Sequence, residues 1–294
     1  MTRKELRIYD VKARHFVNKY RDEETPDTSK VQIAVLGHSE KQFSTIKDRS
    51  YLKKVYLDHL DLGEHYEFQS NAYGESRAFL CDKLFDDSAE YVGVVTASWN
   101  IKYQGFNPID EFHNWHASKG LLISKRKDVV LCAYTNPVRV WFDPENPPKY
   151  RVRYAEYRSG GILRSLYFSK RQRKDIKKVL LGDLSLKANP NGLKVAACNQ
   201  IICHKSLYNR YTRFFKDHEI LPRLKRFCNT NDMITGVDWV DQRTVAYIAE
   251  CVTMLWLNQQ DILTIPTERV KDTWYYNSNR SARVDWYEGK NDDL

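Results

Sequence analysis

Short runs of consecutive apolar residues alternate along this chain with stretches in which apolar positions recur every three or four residues. The first run is VQIAVLG, residues 31–37, stopped by Gly37, with Ser39 placed to cap the next element. Apolar runs of this length between turn residues predict strands buried on both faces. EYVGVVTASW (90–99) is a second such strand, and GLLISKRKDVVLCAY (120–134) holds a third and a fourth. PVRVWFDPENPPKY (137–150) is a strand running into a proline-rich loop. LKVAACNQIICHKSLYNRYTRFFKDHEILPRLKRF (193–227) opens as a strand and turns helical around Ser206, which reads as an N-cap. Helical spacing also marks YLKKVYLDHLDLG (51–63), ending at Gly63, and RAFLCDKLFDD (77–87), with Phe79, Leu80, Lys83 and Leu84 along one side. The longest predicted helix is GVDWVDQRTVAYIAECVTMLWLNQQD (236–261), with Asp238 and Asp241 at its start, where the helix dipole favours acids. DILTIPTERV (261–270) predicts a last strand or extended segment.

This alternation argues for an α/β fold with a mostly parallel sheet flanked by helices. Residues 1–30 form a polar N-terminal extension ending in the loop-like RDEETPDTSK. Residues 31–294 read as one domain in two halves, 31–150 and 151–294, divided at the proline-rich loop. Ligands of such sheets lie at the carboxyl ends of strands. That brings Gly37–Ser39, Ser98–Asn100 and the residues after Ile202 together, if all three strands are parallel.

Within VAYIAECVTMLWL (245–257) the only non-apolar residues are Thr253 and Glu250. A buried unpaired carboxylate costs several kcal/mol in practice, or it takes up a proton. Glu250 therefore has a partner or a chemical task. It lies nine residues beyond Asp241, about half a turn out of phase, and so on another face of the helix.

At 42% hydrophobic and 29% charged, the 294 residues suit a soluble globular protein. No run approaches the roughly 20 apolar residues of a membrane span, and MTRKELRIYDVKARHF lacks the apolar segment of a secretory signal. The six cysteines are scattered without a CxxC pair, which suits reduced packing residues in a cytoplasmic compartment. The net charge of +9 is uneven. Residues 151–180 carry ten Lys/Arg against Glu156 and Asp175. This segment is a solvated face, a docking surface for an anionic partner or a grip on phosphate. With the abundant tyrosines it also motivates a competing reading, a nucleic-acid-binding protein or nuclease.

The chain has no G-x-G-x-x-G, P-loop, G-x-S-x-G or H-E-x-x-H. His113 and His116 of HNWH stand three apart. They suit packing better than metal binding, because no third ligand is in view.

Three stretches in order carry a family resemblance. They are VQIAVLGHSE, then NAYGESRAFLCDKLFDDSAEYVGVV, then the pair CNQIICHKSLYNRYTRFFKDHEILPRLKRF and RTVAYIAECVTMLWLNQQDILTIP. Together, over about residues 31–266, they resemble the DUF4422-type glycosyltransferases of capsule, surface-polysaccharide and viral glycan synthesis. Arg243 and Glu250 match the family's C-terminal helix, with Cys251 in place of its second arginine, and Asn199 matches a strand start. The family's His-Tyr-Arg-Arg segment is replaced here by TASWNIKY.

The resemblance implies a GT-A-like single domain whose first half binds a nucleotide-sugar, a UDP-sugar, and whose second half binds a glycan acceptor. Glu250, Asp241 and Asp238 are the candidates for the base, with Glu250 preferred. Gly37, His38, Ser39, Gly74, Ser76, Arg77 and Trp99 are the candidates on the donor side; Gly37 offers close backbone approach, Trp99 a ring to stack on a sugar, and Arg77 a grip on phosphate. Asn199, His113, His116 and Arg243 are the candidates on the acceptor side. Many sugar-nucleotide enzymes hold Mn2+ or Mg2+ with Asp-x-Asp, and this chain has none. The diphosphate is then held by Arg or Lys, or by a metal with other ligands. A sugar-binding relative without activity is the remaining alternative.

Overall fold

In the computed structural model, the residues described are 12, 15, 16, 19, 20, 23, 24, 26–43, 48–97, 119–133, 170–184, 186, 199–231 and 244–267. They build a six-stranded sheet with helices on its faces, an α/β fold. The strands are β1 (Val31–Gly37), β2 (Leu52–Tyr56), β3 (Tyr91–Thr96), β4 (Val129–Ala133), β5 (Ile201–His204) and β6 (Leu263–Thr267). Their spatial order is β2-β1-β3-β5-β4-β6. All neighbours pair parallel except β3 with β5 and β4 with β5, so β5 alone is reversed.

β1 and β3 are buried along almost their whole length because both faces of the sheet are covered. Ile33 and Val35 join one core, called the second below, with Phe43, Val95, Leu121, Leu131 and Ile265. Ala34 and Leu36, between them in sequence, join the other, with Phe79, Val92, Val94, Tyr211 and Leu224. Alternate side chains of a strand point to opposite faces, so two covered faces require an unbroken apolar run. The edge strands differ: β2 exposes Lys53 and Lys54, and β6 carries Pro266. Both features suit an edge, where lysine and proline discourage further pairing.

The second core is covered in part by Phe16 of the N-terminal extension. A Cβ on Gly120 would stand 2.6 Å from the Phe16 ring. The first core is covered by α3 (Lys205–Asp217), α4 (Ile220–Thr230) and α5 (Thr244–Gln259), and by the tight helical turns of Asn71–Phe79. α1 (Glu40–Phe43) and α2 (Lys170–Lys178) complete the helices with named bounds; the latter continues into a wider turn, Val179–Asp183. No helix of the described residues is long and apolar enough to cross a membrane. Cys81, Cys203, Cys228 and Cys251 are buried and unbridged.

Several expected elements take another form. Residues 51–63 were expected as a helix, but β2 occupies Leu52–Tyr56 and tight turns come after it. Leu52, Val55 and Tyr56 stand at helical spacing, yet the segment gains more by pairing in register with β1. Of residues 77–87 only Arg77–Phe79 are helical, ending the tight turns of Asn71–Phe79, and turns and bends follow, although Phe79, Leu80 and Leu84 are buried as their spacing suggests. GLLIS, expected as a strand, is helical. The N-cap of α3 is His204, whose Nδ1 accepts a hydrogen bond from the Ser206 backbone N–H at 3.1 Å. The strand expected at 137–150 lies outside the described residues.

Candidate functional site

The sheet's topology marks one place for a ligand. From β1 the chain runs outward to β2, then returns past β1 to β3 on its other side. The order reverses between β1 and β3, and open α/β sheets bind ligands outside the carboxyl ends of the strands at such a point. Those ends are Gly37 and Thr96, and just beyond them the Ala97 N–H donates to the Leu36 carbonyl at 2.7 Å. Because β5 is reversed, the residues before Ile201 reach this edge, and those after Ile202 run away from it. Gln200 accordingly donates from Nε2 to Thr96 Oγ1 at 3.4 Å.

At the end of β1, His38, Ser39 and Glu40 are exposed. Gly37 does not leave room for a ligand, contrary to expectation. A Cβ there would lie 2.8 Å from Phe43 Cζ and 3.2 Å from Ala97 Cβ, so the space is filled by the protein's own ring. The His38 backbone N–H donates to Gln42 Oε1 at 2.5 Å. Its imidazole, 35% exposed, places Nδ1 3.5 Å from Oδ2 of Asp58.

Asp58 was not anticipated. It lies just past β2, stays 44% exposed and stands 3.6 Å from Nη2 of Arg77, whose side chain is 0% exposed. Arg77 also donates from Nε to the Gly74 carbonyl at 3.1 Å, and from Nη1 to the Gln69 carbonyl. Gly74 has φ 52° and ψ −146°, a region almost reserved for glycine. The Gly-x-Ser-Arg segment is thus a clasp that seats a guanidinium under Asp58. Arg77 and Gly74 serve this clasp; neither is presented to solvent as a direct phosphate grip.

Beside Asp58, the Tyr56 hydroxyl donates to Glu40, and that bond pushes the phenol pKa up. The Tyr56 ring meets Phe43 edge-on at 5.0 Å and His59 at 5.4 Å. His38, Ser39, Glu40, Tyr56, Asp58 and His59 therefore make a polar rim with one buried cation beneath it. Such a rim accepts hydroxyl and N–H donors. The His38 ring, with Nδ1 towards Asp58, leaves Nε2 to meet a ligand.

Ser76 and Asn199 come together, but inside the protein. Asn199 is 0% exposed, and its Nδ2 donates to Ser76 Oγ at 3.0 Å. Its Oδ1 accepts from Thr253 Oγ1 at 2.5 Å, and Tyr211 Oη lies 2.5 Å from that same Thr253 oxygen. One Thr hydroxyl donates once, so the chain is polarised: Tyr211 donates to Thr253 and Thr253 to Asn199. Burial drives the Tyr211 phenol pKa far up, as befits a group that stays a donor. The backbone of Asn199 is left-handed, φ 59°, which asparagine tolerates better than most residues. These bonds occupy the Asn199 amide and leave Ser76 enclosed, so neither offers a free side chain to a donor or acceptor.

Glu250 is 8% exposed and is not without a partner. It lies one turn before Thr253 on α5. With burial, its charge pushes the Cys251 thiol up. Asp238, Asp241, Trp99, His113, His116 and Arg243 lie outside the described residues, as does 151–169 of the basic segment. Among the described residues no three His, Cys, Asp or Glu stand together as metal ligands. Comparison with family models, with curated proteins and with solved structures finds no match to this chain.

Proposed function

We propose that this chain is a glycosyltransferase, moving a sugar from a UDP-sugar to a hydroxyl of a glycan acceptor. The observation that carries the reading is the rim at the switch point between β1 and β3, with Asp58 held over a buried arginine. Five strands in one direction and a single reversed strand, flanked by helices, are the kind of sheet that a GT-A-like domain calls for. The sequence resemblance points to the same chemistry.

In this reading Asp58 accepts hydrogen bonds from the ribose hydroxyls, and Arg77 fixes its carboxylate without touching the nucleotide. His38 and Ser39 face the diphosphate side. In the transfer the acceptor oxygen bonds to the anomeric carbon, the bond from that carbon to the diphosphate breaks, and the acceptor proton passes to a carboxylate. Asp241 is our choice for that base, with Asp238 next to it. Glu250 is enclosed and already engaged, whereas a base must come within hydrogen-bond reach of its substrate. A divalent cation, if used, would offset the charge of the leaving diphosphate.

The test is a thermal shift with a panel of nucleotide-sugars, with and without Mn2+. A donor at a hundred times its Kd adds about 2.7 kcal/mol, which is several degrees in a chain of this size. Asp58→Asn should abolish the shift; because it also takes a charge from beside the buried Arg77, the shift is read against that variant's own unliganded melting temperature. If no donor shifts the wild-type protein or is hydrolysed by it, the reading fails.

A further inference from the structure

The proposed donor site leaves unused the most strongly charged element among the described residues. α2 reads KRQRKDIKK, six Lys/Arg and one acid in nine residues, so it carries +5 of the chain's +9. Arg171, Lys174 and Lys178 are exposed. At about 100° per residue they fall within an arc of about 60°, along roughly 10 Å of helix. Ile176 lies on the opposite side, buried in the first core, and Val179 and Leu180 join it there. The helix is therefore bolted to the protein by its apolar side, and its cationic row faces out.

Several exposed cations meet carboxylates, namely Lys30 with Glu90, Lys54 with Asp48, Arg126 with Asp128 and Arg226 with Glu219. Others, such as Lys125, Lys127, Arg210 and Arg213, are exposed and outside any ion pair among the described residues, and α2 gathers three such cations in one row. Among the described residues no carboxylate lies within ion-pair distance of Arg171, Lys174 or Lys178. Asp175, half-buried, is the one acid on the helix and is not paired with any of them.

We propose that this face docks the protein on an anionic lipid surface. A row of cations along the convex side of a single helix fits a flat sheet of negative headgroups. A strand of nucleic acid is instead tracked by a groove with aromatic rings for its bases, and α2 has no aromatic residue. The apolar side of α2 is spent on the core, so the attachment is electrostatic and peripheral. α2 alone carries six Lys/Arg. Clusters of four to eight Lys/Arg are the usual density for this kind of attachment.

The experiment is co-sedimentation of the full chain with phosphatidylcholine vesicles, with and without phosphatidylglycerol, at low salt. Binding is expected only with the anionic lipid, and salt at several hundred millimolar releases it. At about a factor of five per cation, the triple variant R171Q/K174Q/K178Q lowers partitioning about a hundredfold. The variant K30Q/K54Q/R226Q removes equal charge from paired sites elsewhere and keeps most of the binding. Melting temperatures and circular dichroism of both variants show that they are folded. Three results would overturn the proposal: no wild-type binding to anionic vesicles, equal loss in the two variants, or retention of duplex DNA without retention of vesicles. None of them bears on the response to nucleotide-sugars.

Discussion

Replacing Thr253 by valine keeps the shape of the side chain and removes the hydroxyl at the middle of a polarised chain. The Thr253 hydroxyl donates to Asn199 and receives the Tyr211 hydroxyl, and all three side chains are buried. Valine leaves the Asn199 carbonyl without that donor and the Tyr211 hydroxyl without that acceptor. A buried polar group left unpaired costs about 1–3 kcal/mol, so the two together cost about 2–6 kcal/mol. Set against the roughly 5–15 kcal/mol of a whole fold, this is a large fraction. Tyr211→Phe alone should cost only about 1 kcal/mol, since Thr253 keeps its bond to Asn199. In Thr253→Val/Tyr211→Phe the stranded tyrosine hydroxyl is gone. The double variant should therefore lose about 2–4 kcal/mol less than the sum of the singles, the stranded tyrosine's roughly 1–3 plus the roughly 1 kcal/mol of Tyr211→Phe, at the upper end of the range seen for residues in contact. Urea denaturation of the four proteins measures this, with an unchanged m-value showing that the same unfolding is compared. A Thr253→Val loss under half a kcal/mol, or strictly additive singles, would refute the chain as drawn.

Gly37→Ala places a methyl 2.8 Å from the Phe43 ring and should cost about 1–3 kcal/mol by overpacking; Gly37→Ala/Phe43→Leu should regain part of it in the same denaturation assay. The Cys203 and Cys228 thiols are pushed up to about 12 by desolvation from an ordinary 9.0. A raised folded pKa gives stability that is whole below the unfolded value and lost above it. Stability should therefore fall between about pH 9 and 12, by up to about 1.4 kcal/mol per pH unit per thiol, and Cys203→Ser should flatten that slope in pH-dependent melts. Asp241→Asn should keep the melting temperature and lower transfer of sugar at least about a hundredfold, whereas Glu250→Gln should lower stability by about 1–3 kcal/mol and leave turnover per folded molecule near wild type. A Glu250→Gln protein that melts like wild type and no longer turns over would return the base to Glu250.

Much of the sheet was legible because its central strands are covered on both faces. β1 and β3 had to be unbroken apolar runs, and they stand where such runs stand in the chain. β2 was not legible, since an edge strand with Lys53 and Lys54 outward leaves its apolar residues at helical spacing. Asp58 was lost with it, because its place at the carboxyl edge appears only once β2 is a strand. GLLIS shows the complementary ambiguity: a short apolar run fits a buried strand or a buried helix equally. The direction of β5 has no local signature, so the residues brought to the edge are Asn199 and Gln200 in place of those after Ile202. Asn199 and Ser76 were both noticed as polar residues of the right region. Their bond joins positions 123 apart in sequence, and only the folded chain shows that they satisfy each other.

The polar residues in VAYIAECVTMLWL now have a common physical setting. Every described side chain of α5 from Thr244 to Leu257 is buried. A helix that is apolar all round has no amphipathic stripe to fix its rotation about its own axis. Glu250 and Thr253 are one turn apart and so share a side of the helix. On that side Thr253 bonds to Asn199, which bonds to Ser76 of Asn71–Phe79, the segment against which α5 packs. Turning α5 by one residue would carry Thr253 about 100° away and strand three buried polar groups. A buried polar pair used in this way sets register at a cost in stability, as a lone asparagine does in a coiled coil. The same segment holds Arg77 beneath Asp58. The rotation of α5 is therefore coupled to the seat of Asp58 in the rim.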